Sequence, residues 1–349
     1  MTPASKRFAA ALVSQSPLPE LVFHLRARRR LTVIMYHSIR PPRGPSYPFD
    51  DQLVSATPAA FARQLRFFRS HLDVLSVNEL LDCLEEPKSL PRRPALITFD
   101  DGHADNYEIA LPLLRQHGLT ACFFLTTGFI GASVLPWWDQ IFCCFRVTRL
   151  EQLRSPFGND DPPFDLAPAK RELAIARFIH QLRALPTWDE AMRIVRDLRE
   201  ATDVTPEAHL KRPLFMSWAQ VRQLAAAGMG LGGHTRTHPI LSRITDRRVL
   251  HDEIAGCSAD IQRAVGRAPL AFAYPTGGKE AMSAEADAEI RRCGFRISFS
   301  ATQSFAALSS GSVARTPRVR IDFGDDHRAF RLALARLPAP AREHGLSYP

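Results

Sequence analysis

Two places in this 349-residue chain hold side chains whose types and spacing suit hydrolytic chemistry. At the first, the apolar run Leu96-Ile97-Thr98-Phe99 ends in the adjacent carboxylates Asp100 and Asp101, followed by Gly102. At the second, Gly232-Gly233 leads into His234 and His238, four residues apart. Neighbouring aspartates repel, so a fold that keeps them together needs a cation, an arginine or a shared proton beside them. A carboxylate and two imidazoles form a donor set that suits Zn²⁺ and leaves a position open for water. One helical turn, or another tight turn, would bring both imidazoles to one side. Taken alone, Asp100 and Asp101 read equally well as a turn and a helix cap. Two histidines at the end of a Gly-Gly strand, by contrast, are a poor way to fill a core.

The order of these stretches adds a resemblance. Thr98–Gly102 (TFDDG) and His234–His238 (HTRTH) resemble the first two motifs of the polysaccharide deacetylase family, the NodB-like carbohydrate esterases, and Phe272–Gly277 (FAYPTG) is similar to the third. The similarity spans roughly residues 31–325, and the three together are far more specific than any one. It implies a divalent metal, Zn²⁺ first, held by Asp101, His234 and His238, with Asp100 off the metal as general base. It also implies that the backbone N–H of Tyr274 helps to hold the oxyanion.

Two departures from the family pattern redirect the remaining roles. The late Leu-x-His motif is absent, because the chain after Arg318 reads Val319-Arg320-Ile321-Asp322-Phe323-Gly324. Met35-Tyr36-His37-Ser38-Ile39 instead resembles the early histidine motif of the poly-N-acetylglucosamine deacetylase branch, which implies His37 as general acid. An ordinary imidazole pKa of roughly 6.5 suits that work. The arginine that often orients the base in the third motif is missing from Pro269–Tyr274. Arg318, in Thr316-Pro317-Arg318, is the substitute candidate, since a guanidinium beside Asp100 would keep it ionised.

The elements that must position these groups follow from periodicity. Leu31–His37 reads as a first strand, a proline-marked loop follows, and Thr57-Pro58 starts a helix with Phe61, Leu65 and Phe68 on one face. After the Asp100 strand come a helix carrying Ile109, Leu111 and Leu114, a stop at Gly118, and the strand Ala121–Leu125. Ser217 with Gln220 forms a capping box for a helix running to Gly228. Leu250, Ile254, Ile261 and Val265 stripe another helix ended by Gly266, before the strand Ala271–Tyr274. Ser283–Cys293, closed by Gly294, leads to Arg296–Ser300. Repeated β-α units without a G-x-G-x-x-G favour a distorted (β/α) barrel over a dinucleotide-binding sheet.

The expected domain plan is a short leader over residues 1–30, the barrel over 31–325, and a C-terminal helix and tail over 326–349. Residues from about 140 to 213 break the rhythm, with helical runs at Ala169–Leu185 and Thr187–Thr202. They read as a helical insertion capping the active-site face, where specificity would vary. His103, Asp105 and Asn106 read as caps of the next helix. Trp137 and Trp138 read as packing for the insertion, with stacking on a sugar ring as the sharper alternative. Cys143 and Cys144 read as structural, and His251 and His327 as surface residues.

Composition bounds the rest. With 45% hydrophobic and 23% charged residues the chain is an ordinary globular sequence able to bury a large core. The formal charge of +9 is carried almost wholly by arginine, all but five of the 45 basic residues. Only Arg26-Ala27-Arg28-Arg29-Arg30 forms a dense run, so attraction to a membrane surface or anionic glycan ranks below a plain compositional bias. The six cysteines lack any C-x-x-C or framework spacing and read as reduced. Phe8–Val13 is too short for a signal-peptide core, and no run approaches about 20 apolar residues. The expected location is therefore cytoplasmic, with the inner face of a membrane as a second option.

The expected activity is hydrolysis of a non-peptide amide bond: removal of an acyl group, acetyl first, from an amino sugar in a polysaccharide or glycan precursor. One alternative keeps the fold and metal but acts as a deformylase or on another small amide. The other is a non-catalytic glycan-binding relative. A nucleic-acid module is disfavoured, since no cysteine lies near the histidine pair and no basic-aromatic stripe appears.

Overall fold

The computed structural model describes residues 18–27, 30–44, 46–86, 90–158, 160–304, 314–322 and 326–335. Its centre is an eight-stranded sheet of β1 (Thr32–Tyr36), β2 (Asp73–Val74), β3 (Pro94–Phe99), β4 (Cys122–Leu125), β5 (Gly230–Gly233), β6 (Ala271–Ala273), β7 (Ile297–Phe299) and β8 (Val319–Arg320). The strand path runs β7-β6-β5-β4-β3-β1-β8, with β2 pairing the start of β3, and every pairing in it is parallel. Parallel strands covered by helices are buried on both faces, which is why β1 and β3 are continuous apolar runs with every residue buried.

The sheet curls onto itself through the stretch 316–320. Thr316 N–H donates to Ser298 O at 2.7 Å and Ser300 N–H donates to Thr316 O at 2.9 Å, while Val319 and Arg320 pair with Ile34 and Met35 of β1. This closure is the distorted (β/α) barrel that the repeated β-α pattern predicts.

Local signals set the helix ends. Thr57 Oγ1 caps the helix Pro58–His71 by accepting from Ala60 N–H at 3.3 Å, and Phe61, Leu65 and Phe68 are its buried face. Both reciprocal bonds of the Ser217–Gln220 capping box are present. Gly118 and Gly266 end their helices in the left-handed conformation, which costs glycine little. The helix Leu18–Ala27 falls in the leader and packs on the C-terminal helix His327–Ala335; Phe23 meets Phe67 at a tilt, and Phe330 packs edge-on against Phe67 and tilted against Phe68. The remainder of both termini lies outside the described residues.

The segment read as an insertion from about residue 140 holds the helices Trp137–Val147, Arg171–Ala184 and Trp188–Thr202. A short antiparallel pair, Gln152–Leu153 with Phe164–Asp165, joins the first two. Phe145, Phe157, Phe164 and Phe178 form its own aromatic cluster, with ring centroids 5.0–5.8 Å apart for Phe157–Phe178, Phe145–Phe178 and Phe145–Phe164. All six cysteines are free thiols.

One expectation is overturned here. His103, Asp105 and Asn106 do not cap the following helix, which instead opens with a π turn at Asn106–Ala110. Asp105 accepts from Ile39 N–H at 3.0 Å and from Ser38 Oγ, and Asn106 Nδ2 donates to His37 O at 2.7 Å. These side chains satisfy the backbone just beyond β1, a long-range demand that outranks a local cap.

Candidate active site

The carboxyl end of β3 delivers Asp100 and Asp101 to the open end of the barrel. Asp101 sits at φ 71°, and Thr235, His238 and Thr276 also have φ between 62° and 65°; only two other non-glycine residues among those described share that conformation. Strained backbone concentrated in this way marks a place held in shape for chemistry. Gly102, at φ 86°, follows Asp101 because a Cβ there would meet Ile130 Cδ1 at 2.8 Å.

Arg318 grips Asp100 with two parallel bonds, Nη1 to Oδ1 at 2.7 Å and Nη2 to Oδ2 at 2.8 Å. Its Nε donates to Ser300 O at 2.9 Å, so the fork is fixed from behind. Both side chains are fully buried. Burial works to raise the Asp100 pKa, but the guanidinium wins and holds it below the ordinary carboxylate value.

The histidine pair lies on a tight turn at the end of β5, not on a helix. Glu253, from the helix Arg247–Val265, accepts from the N–H groups of Arg236 and Thr237 at 2.8 and 2.9 Å, and Thr235 Oγ1 accepts from His238 N–H at 3.0 Å. His234 Nδ1 donates to Ala273 O at 2.7 Å, which leaves Nε2 as the lone-pair nitrogen facing inward. That Nε2 lies 3.4 Å from Asp101 Oδ1, and His238 Nε2 lies 3.5 Å from the same oxygen. Asp101 Oδ1 is buried and makes no hydrogen bond. Burial pushes the His238 pKa down to about 3, so its imidazole is neutral. An unpartnered carboxylate oxygen facing two imidazole nitrogens is a donor set fitted to a divalent cation.

These groups floor a pocket of about 80 Å³, room for an acyl group and a few waters but not for a glycan. His37 lines it from the end of β1, its Nδ1 buried without a partner and its pKa lowered by burial against the pull of Asp101 and Asp100. Trp137, Trp138, Ile179 and Arg183 bring the insertion to its wall. Trp138 packs edge-on against His238 with centroids 4.6 Å apart, and Trp137 Nε1 donates to His238 O at 3.2 Å. The tryptophan pair therefore does more than pack the insertion: it braces the histidine turn.

Tyr274 lines the pocket, but its backbone N–H donates to Phe299 O at 3.0 Å within the β6–β7 pairing. It is thus not the free donor expected from the third motif. Two residues over, Thr276 lines the pocket, and its Oγ1 is buried without a hydrogen-bond partner. Two further groups join the site: Asp50, which lines the pocket beside Leu53, and His103, read from sequence as a cap, whose Nε2 lies 3.3 Å from Asp101 Oδ2. No local signal marks Asp50 or Glu253; Thr276 lies within the FAYPTG stretch, and His103 follows the Asp-Asp-Gly turn directly, where a helix cap is the ordinary reading.

The comparisons agree with the resemblance. A family model described as polysaccharide deacetylase matches residues 88–298, more than half of the chain. YxkH of Bacillus subtilis (strain 168) is 29% identical over 103 residues, 29% of this chain and 34% of that protein, so the aligned stretch spans about a third of the relative's length. Among solved structures, the Streptococcus pyogenes deacetylase PplD in complex with acetate superposes with a TM-score of 0.56 at 16% identity, covering 88% of this chain and 99% of that one. IcaB from Ammonifex degensii gives 0.56 at 18% identity, covering 89% and 98%. At these identities the superpositions speak for the fold.

Proposed function

Because this chain belongs to the polysaccharide deacetylase family, we propose that it is a divalent-metal-dependent hydrolase that removes an N-acetyl group from an amino sugar of a glycan or glycan precursor. The observation that carries the reading is the ionised, arginine-clamped Asp100 next to the three-donor cluster of Asp101, His234 and His238. Zn²⁺ is the ion best suited to two imidazoles and one carboxylate. When bound there, such an ion polarises the amide carbonyl and lowers the pKa of water from about 16 toward about 7.

The chain's own residues supply the proton traffic. Asp100 accepts the proton of the attacking water; each of its oxygens keeps a lone pair beyond its bond to Arg318. The water oxygen joins the carbonyl carbon, the carbon–nitrogen bond breaks, and His37 gives the leaving amine its proton. Burial lowers the His37 pKa, which makes its imidazolium the stronger donor. Thr276 Oγ1 replaces Tyr274 N–H as the group offered to the substrate oxygen. The insertion, through Trp137, Trp138, Ile179 and Arg183, shapes which glycan enters.

The direct test is acetate release from an N-acetylglucosamine oligomer before and after chelation, with elemental analysis of the protein. Asp100→Asn is expected to keep its metal and lose activity, and His234→Ala to lose both. Metal content without acetate release would shift the reading to another amide; a fully active Asp100→Asn protein would overturn the mechanism.

A further inference from the structure

The reaction pocket does not stand alone. Asp50 and Leu53, which line it, also line a narrow cleft toward Arg43, Tyr47, Arg212 and Leu214, and these four in turn border a cavity of about 580 Å³. That cavity is the size of a small-molecule site. Arg43, His209, Lys211 and Arg212 line it, and among the described residues no carboxylate does. Arg43 lies over the Tyr47 ring at 4.5 Å and Arg40 at 5.4 Å, so two guanidiniums share one aromatic wall; Arg40 is paired with Asp51, and Arg43 is the one that lines the cavity. The crowding registers on Arg43, whose pKa is lowered by burial and by Arg40 and Arg212. Among the described residues Arg212 has one carboxylate within 4 Å, Glu108 at 3.9 Å on an exposed face, while Asp50, Asp105 and Asp139 lie along the connecting cleft.

We propose that this cavity binds the phosphate or diphosphate of a phosphate-linked amino sugar whose N-acyl group lies in the reaction pocket. The inference rests on the deacetylase reading and names its substrate class. A single uronate charge would leave two of Arg43, Lys211 and Arg212 unmatched, whereas a diphosphate answers both guanidinium forks at once. The aromatic wall of Tyr47 and Phe49 then faces whatever the phosphate carries, a nucleoside or an isoprenoid.

The test is calorimetry on the full chain with its metal bound, using UDP, geranyl diphosphate and glucuronate as probes. Either diphosphate is expected to bind more tightly than glucuronate, and Arg43→Ala/Arg212→Ala to weaken it by about tenfold or more. Acetate release from a neutral N-acetylglucosamine oligomer should stay unchanged in that variant. If loss of Arg43 unfolds the protein, Lys211→Ala/Arg212→Ala, both exposed, gives the same comparison. A preference between the two diphosphates names the carrier. Absence of diphosphate binding overturns the proposal, and so does binding that the arginine variants leave intact, which would put the ligand on the metal. The neutral oligomer reports on deacetylation alone, so either reading can fail without the other.

Discussion

Arg318 and Asp100 stand 218 positions apart in the chain and meet in a two-bond, fully buried pair. The guanidinium comes from the stretch that closes the barrel between β7 and β1, so closure of the sheet and ionisation of the candidate base are one structural event.

Removing that guanidinium leaves burial to act on Asp100 unopposed, so its pKa rises. Since the base must be ionised, the acid limb of the kcat/KM profile of Arg318→Met should move to higher pH, with Arg318→Lys between it and the parent. Asp100→Asn should cost about 10²–10⁴-fold in kcat. Thermal melts must accompany the kinetics, because an uncompensated buried charge costs about 3–5 kcal/mol. An acid limb that stays in place in Arg318→Met would show that Asp100 is not the base.

Metal binding should be visible without turnover. An ion that binds only the folded state stabilises it by about 4 kcal/mol at a thousandfold excess over Kd. Chelation should therefore lower the Tm of the parent protein and leave His234→Ala unmoved. Equal chelator sensitivity in both proteins would separate the ion from His234.

Glu253 touches neither the proposed metal nor substrate, yet it accepts the backbone N–H groups that shape the histidine turn. Glu253→Ala should destabilise the fold by about 1–3 kcal/mol and weaken metal affinity by about 10–100-fold. Glu253→Gln, which keeps an acceptor oxygen, should recover part of both. Calorimetric metal titration of the two variants decides it; identical affinities would leave Glu253 with packing alone.

Asp50 and Asp139 form a buried acid pair, with Asp50 N–H donating to Asp139 Oδ1 at 2.7 Å. Burial and the Asp50 carboxylate push Asp139 up to about 7, and burial pushes Asp50 up to about 6. The folded state thus binds more protons than the unfolded one between the ordinary carboxylate value near 4 and about 7. Stability should fall as pH rises through that window. Asp139→Asn keeps the acceptor oxygen and removes the charge, so it should flatten the fall and gain roughly 2 kcal/mol at pH 8. Denaturant melts from pH 4 to 8 on chelated samples measure both slopes, and parallel slopes would exclude the pair as their source.

Much of the site was legible because its residues announce themselves locally. Asp100-Asp101-Gly102 at a strand end, and His234 with His238 after Gly-Gly, are short-range patterns whose chemistry depends on residue type more than on surroundings. The alternation of strands and capped helices was legible for the same reason, since Ser217–Gln220, Gly118 and Gly266 act within a turn of themselves. Even the left-handed Asp101 fits a turn that Gly102 signals.

What the tertiary structure alone decided are relations between distant segments. The sequence offered Arg318 as a candidate beside Asp100, but only barrel closure sets its fork on both carboxylate oxygens. It offered Tyr274 N–H to the oxyanion, but the β6–β7 pairing takes that donor, and the buried hydroxyl without a partner beside the pocket is that of Thr276. It read Asp105 and Asn106 as caps, but the backbone after β1 claims them. Asp50, Glu253 and the basic cavity carry no local mark at all, because a carboxylate or an arginine gains its role from what burial and neighbouring charge do to it, and those are fixed only when the chain has folded.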